Sequence, residues 1–68
     1  MNKKELLYDA LAKHYLAERA EAKATLHVYF NDSVGIGEHP QIVEEMVKQV
    51  DKMANAEDCL EVLKRSFN

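Results

Sequence analysis

The segment Ser33-Val34-Gly35-Ile36-Gly37-Glu38-His39-Pro40 decides the fold, because it contains both glycines and the single proline of the 68-residue chain. Glycine and proline are the residues that most strongly interrupt helices and strands. Two long stretches without either residue, 2–32 and 41–68, flank the segment. Pro40 suits the first turn of a helix, where its missing N–H has no intrahelical partner. The sequence therefore predicts an all-α antiparallel two-helix hairpin, with helices at about 2–32 and 40–67 and a loop at 33–39.

The glycines of this loop admit two interpretations. Paired glycines before a helix N-terminus also occur in phosphate-binding loops, where backbone N–H groups hold an anion. The further glycines or the Lys-Ser/Thr pair of those motifs do not follow here, and Glu38 would repel a phosphate. We therefore expect a structural role for Gly35, Gly37 and Pro40, with one glycine adopting the positive φ that commonly follows a helix.

The first helix is predicted to begin at Asn2, an N-cap residue followed three positions later by Glu5. Placing successive residues 100° apart puts an apolar stripe on one face. A second face carries Ala17 and other alanines at intervals of seven residues, which would let another helix approach closely. The predicted stripe consists of Leu7, Leu11, Tyr15, Ala22, Leu26 and Tyr29.

The segment Thr25-Leu26-His27-Val28-Tyr29-Phe30 is ambiguous, because its large apolar residues alternate as they would in a half-buried strand. Helix is favoured, since the stripe continues through Leu26 and Tyr29 and no breaker precedes Thr25. A lone strand would also have nothing to pair with in this chain.

The second helix carries one carboxylate within its apolar stripe, Glu57. A buried carboxylate is costly unless it is paired, so three interpretations remain open. Glu57 fixes the register through a polar contact, is an acid of raised pKa, or lies at an edge that reaches solvent, which we favour. The predicted apolar members of this stripe are Ile42, Val43, Met46, Val50, Met53, Leu60 and Phe67.

These stripes are wider than one partner helix can cover, which predicts a second chain. Pairing two hairpins would give a four-helix bundle, so we expect a homodimer. A core of this size does not favour an enclosed enzyme site. We therefore expect a non-enzymatic helical module that acts by oligomerisation and protein interaction, without a cofactor.

The alternative function is a ligand- or metal-binding bundle that uses the loop from Gly35 to Pro40 or the histidines. His14, His27 and His39 lack the Glu-x-x-His spacing of di-iron bundles, so surface or boundary positions are expected for them. Cys59 is predicted to project away from the apolar stripe, and no nucleophile with a base and an orienting group is evident.

The charge balance disfavours nucleic acid as a partner. The net charge is −3, and residues 32–68 hold eight acidic against four basic side chains, whereas nucleic-acid binders present a basic face. A single cysteine is typical of a reducing compartment. We find no run of about 18 apolar residues and no signal-peptide pattern, so a cytoplasmic location away from membranes is expected.

The stretch Val34-Gly35-Ile36-Gly37-Glu38-His39-Pro40, together with Ala54-Asn55-Ala56-Glu57-Asp58 and the surrounding second helix, resembles small uncharacterised proteins of marine tailed bacteriophages. The resemblance covers mainly residues 26–67. It implies a phage origin and expression in a bacterial host, where a host or viral protein is a further candidate partner. It carries no assigned activity and no functional residues.

Overall fold

The computed structural model describes residues 2–31 and 40–68, and for Pro40 only the backbone. Helix α1 spans Lys3–Asn31 and helix α2 spans Pro40–Phe67, and the two helices pack against each other. This confirms the all-helical prediction and the packing of one helix on the other. The predicted roles of Gly35, Gly37 and His39 lie outside the described residues.

The start of α1 is the predicted N-cap. The backbone N–H of Glu5 donates to Asn2 Oδ1 at 2.9 Å, and the N–H of Leu6 donates to the Asn2 carbonyl at 3.1 Å. The side chain thus satisfies one of the amide groups that a helix leaves unpaired at its first turn. Glu5 adds a favourable negative charge at the positive end of the helix dipole.

Residues 25–30 are helical, which confirms the favoured interpretation of this segment. The Thr25 hydroxyl donates to the Glu21 carbonyl at 2.9 Å, one turn earlier, as threonine commonly does inside a helix. The alternation of apolar residues therefore does not mark a strand. Leu26 faces α2, whereas Val28 and Phe30 are exposed on α1.

The seam between the helices follows spacings of three and four residues, as in an antiparallel coiled coil. Its core is small: Ala22 is 0%, Ala56 1% and Leu26 8% exposed. The larger seam residues are only half-buried. On α1 the seam comprises Tyr8, Ala12, Tyr15, Arg19, Ala22, Leu26 and Tyr29; on α2 it comprises Ile42, Met46, Gln49, Met53, Ala56, Leu60 and Leu63.

Several predicted stripe residues lie outside this seam. Glu57 is exposed, which agrees with its favoured position at an edge, and the buried place beside it belongs to Ala56. Six further residues are exposed in the single hairpin and do not contribute to its core, so their place in an interface stays a prediction. These are Leu7, Leu11, Ala17, Val43, Val50 and Phe67.

The hairpin is a rod rather than a globule. It measures 52 × 17 × 14 Å with a radius of gyration of 15.6 Å, against about 11 Å expected for a compact domain of this length. Its accessible surface is 5324 Å², whereas a globular monomer of this mass exposes about 4,400 Å². The chain therefore leaves roughly 900 Å² more surface in water than a compact fold would.

Candidate interaction surface

An ion pair between the helices shows their register. Lys52 Nζ on α2 lies 3.0 Å from Glu21 Oε2 and 3.6 Å from Glu18 Oε2, both on α1. The hydrogen bond with Glu21 raises the pKa of Lys52, as do the negative charges of both glutamates. We call this flank of the hairpin the ion-pair side. It extends along the seam toward Cys59.

Cys59 lies beside the seam on the ion-pair side and faces α1, so the prediction that it projects away from the apolar stripe is wrong. It is half-buried and lines a shallow cleft of about 260 Å³ with Tyr15 and Leu11. Hydrogen bonding with Cys59 raises the pKa of Tyr15. The Sγ atom lies 3.9 Å from Asn55 Oδ1, one turn back on α2. Cys59 therefore packs against Tyr15 as part of the helix contact.

An apolar groove of about 460 Å³ lies at the open end of the hairpin, where α1 begins and α2 ends. The groove is open to solvent along its length. Leu7, Leu11 and Phe67, three of the predicted core or interface residues, form much of its wall. The remaining lining residues are Lys3, Lys4, Tyr8 and Leu63.

A second apolar surface lies on the flank of the hairpin opposite the ion-pair side. We call this flank the valine side. Val43, Val47, Val50 and Ala54 follow one another at spacings of four, three and four residues on α2, and all are exposed. This is the spacing of a packed helix seam. It is displaced by one residue from the seam that faces α1.

Helix α1 contributes to the same valine side. The α1 seam includes Tyr15 and Arg19, and Glu18 lies next to them on the ion-pair side. Leu16 lies on the other side of the same seam residues, so it belongs to the opposite flank of α1. Ala20 and Phe30 share that flank by the same spacing. The valine side therefore consists of Leu16, Ala20, Phe30, Val43, Val47, Val50 and Ala54, all of them exposed.

The histidines that the structure describes do not converge. His14 and His27 lie on one helix thirteen residues apart, which is about 20 Å at 1.5 Å per residue. His14 packs edge-on against the ring of Tyr15, with 5.0 Å between centroids. Within residues 2–31 and 40–68, no group of three His, Cys, Asp or Glu side chains is placed to hold a metal ion.

The described helices contain no stretch long and apolar enough to cross a membrane. No family model matches the chain, and neither a curated protein nor a solved structure matches it.

Proposed function

We propose that this chain is a non-enzymatic association module and that two hairpins pair into a four-helix bundle. The observation that carries the proposal is the imbalance between buried and exposed apolar residues. Among the described residues, eleven large apolar side chains are exposed, whereas the buried hydrophobic residues are Ala22, Leu26 and Ala56. Exposed apolar surface on this scale is typical of an interaction site.

The accessible surface area of the chain supports the same proposal. The excess of roughly 900 Å² over a globular monomer is close to the ~800 Å² that each partner buries in a standard interface. Covering apolar surface contributes about 25 cal/mol per Å² before the costs of association. A second copy is thus able to supply the core that a single hairpin of this length lacks.

The cellular setting in this proposal is the cytoplasm of a bacterial host. The unpaired Cys59 supports a reducing compartment, and the resemblance of residues 26–67 to phage proteins supports a phage origin. A host or viral protein would then bind the assembled dimer on surface that the second copy leaves free.

Sedimentation velocity and equilibrium over a wide range of protein concentration test the association. We expect the mass of two chains at micromolar and higher concentration, with dissociation on dilution. A single 7.8 kDa species at the highest concentration would overturn the proposal. Circular dichroism on the same samples establishes that the chain is helical when its mass is measured.

A further inference from the structure

We infer that the valine side is the surface that binds a second copy, with the loop ends of the two hairpins at the same end of the bundle. This inference rests on the proposed function and specifies its interface. Self-association alone would allow several faces and two orientations. The valine side and its flanking charges select one of each.

Helix α2 carries a second row of packing positions in addition to the seam that faces α1. Val43, Val47 and Val50 repeat the three- and four-residue spacing of the inner seam on a flank that α1 does not cover. A helix with two such seams is suited to two neighbours at once, as each helix of a four-helix bundle has. Branched side chains such as valine are common at packed positions of paired helices.

The charges that flank the valine side favour one orientation of the two copies. The contacts of Lys52 with Glu18 and Glu21 show which residues of α1 and α2 lie at the same level. The helices are antiparallel, so counting residues from this contact toward the loop on both helices gives their relative heights along the rod. On the valine side, Phe30 and Val43 lie at about the same height. At the open end, the same counting places Asp9 near the level of Lys64.

With the loop ends together, a two-fold axis parallel to the long axis of the rod relates the two copies. Helix α1 of one copy then packs against α2 of the other, with residues of the same height opposite each other. Phe30 then meets Val43 of the second copy, and the apolar loop halves of the two valine sides overlap. At the open end, Asp9 and Lys13, which pair with each other at 2.8 Å, meet Lys64 and Glu61 of the second copy. Opposite charges therefore meet at this end, beside the exposed Leu6, which favours this register. Between the two ends, the same counting sets Lys23 near Val50 and Glu57 near Leu16 of the second copy, all at exposed positions.

The reversed orientation lacks both advantages. With the hairpins overlapping fully, Phe30 and Val43 of one copy would lie against the level of Asp9 and Lys64 of the other. Apolar side chains would then cover charged ones, so burial would desolvate the charges without pairing them. Sliding the copies to overlap only their loop halves would shorten the interface.

The interface is tested by charge substitutions of matched exposure. Val47 on the valine side is 53% exposed, and Val28 on the ion-pair flank of α1 is 63% exposed in the same half of the rod. V47D buries an unpaired carboxylate in the inferred interface, so we expect dimer affinity to fall by at least about 100-fold. V28D should change it by less than about twofold, since Val28 stays in solvent.

A third variant, A17E, examines the alanine face on the back of α1. Under the inference it leaves the dimer intact, because Ala17 lies away from the valine side. Equal weakening by V47D and V28D, or weakening by A17E alone, would overturn the assignment. Circular dichroism of each variant separates loss of association from loss of helix.

Distances between spin labels attached at Asn68→Cys test the orientation. The variant also carries Cys59→Ser, so that only the introduced cysteine is labelled. Its dimer affinity is first shown to equal that of the wild-type chain. Loop ends together bring the two labels within roughly 15–30 Å, given helix spacings of about 8–10 Å and the label arms. Opposed ends would separate them by more than about 40 Å, because the rod is 52 Å long. A long distance in a dimer refutes this inference only, whereas a monomer refutes the proposed function as well.

Discussion

At the scale of single residues, Lys52 makes a contact between the two helices whose strength depends on pH. Its folded-state pKa is raised above 10.5, chiefly by the hydrogen bond with Glu21. The stabilisation is therefore fully present below that pH and is lost as pH rises through the higher folded-state value. Tyr15, whose pKa is also raised from 10.0, shifts the stability in the same direction.

We predict that Lys52→Met flattens the alkaline decline of the thermal midpoint. The wild-type midpoint should fall as pH rises from about 9 to 11.5. The variant should lose only part of that decline, because Tyr15 and Lys13, whose pKa values are also raised, remain. At pH 7 the variant should melt a few degrees lower, as is typical for an exposed ion pair. The control is Lys48→Met, since Lys48 pairs with Glu45 on its own helix at 3.1 Å. Identical pH profiles for Lys52→Met and the wild type would refute the role of Lys52.

Residues differ in how much local sequence reveals of them. The Asn2 cap is predictable because donor and acceptor lie three residues apart, and the structure confirms it. The contacts of Lys52 with Glu18 and Glu21 carry no local signal, because they depend on the register between two helices. The position of Cys59 against Tyr15 depends on that register as well.

At the scale of helices, the sequence predicts both segments and their bounds well but misplaces part of their packed face. The structure follows a 3.5-residue period, and a straight 3.6-residue helix drifts from it by about 20° per heptad. Over a helix of 28 residues the drift moves stripe positions by one residue. Ala56 therefore takes the inner place predicted for Glu57, and of the two neighbours predicted at the start of α2, Ile42 is half-buried and Val43 is exposed. Val43 and Glu57 lie on or beside the valine side.

We predict that Ala22→Leu destabilises the hairpin by about 1–3 kcal/mol, because Ala22 is 0% exposed in the seam between the two helices, where a larger side chain has no room. The thermal midpoint should fall by about 4–8 °C per kcal/mol. Ala24→Leu is the matched control, since Ala24 is exposed two residues along the same helix. Its midpoint should stay within about 2 °C of the wild type, because leucine is also a good helix former. A similar loss in both variants would mean that helix propensity, and not packing at the seam, limits stability.

At the scale of the whole molecule, the sequence predicts the hairpin because one short segment containing both glycines and the proline separates two long helical stretches. The face that we propose for a second copy is not predictable in the same way. Apolar residues surround much of α1, so periodicity alone does not distinguish Ala17 on its back from Leu16 on the valine side. That distinction requires the register, which a long-range contact such as Lys52 with Glu18 supplies.

The proposed dimer also implies that folding and association are linked. A 68-residue rod with three buried hydrophobic residues among those described has little stability of its own, so the proposed bundle should melt from dimer to unfolded chains. A hundredfold rise in protein concentration then adds roughly 2.7 kcal/mol per dimer, which raises the thermal midpoint by roughly 5–10 °C. V47D should melt lower and with a smaller dependence on concentration. A wild-type midpoint that stays constant over this range would show that a single hairpin is stable without a partner.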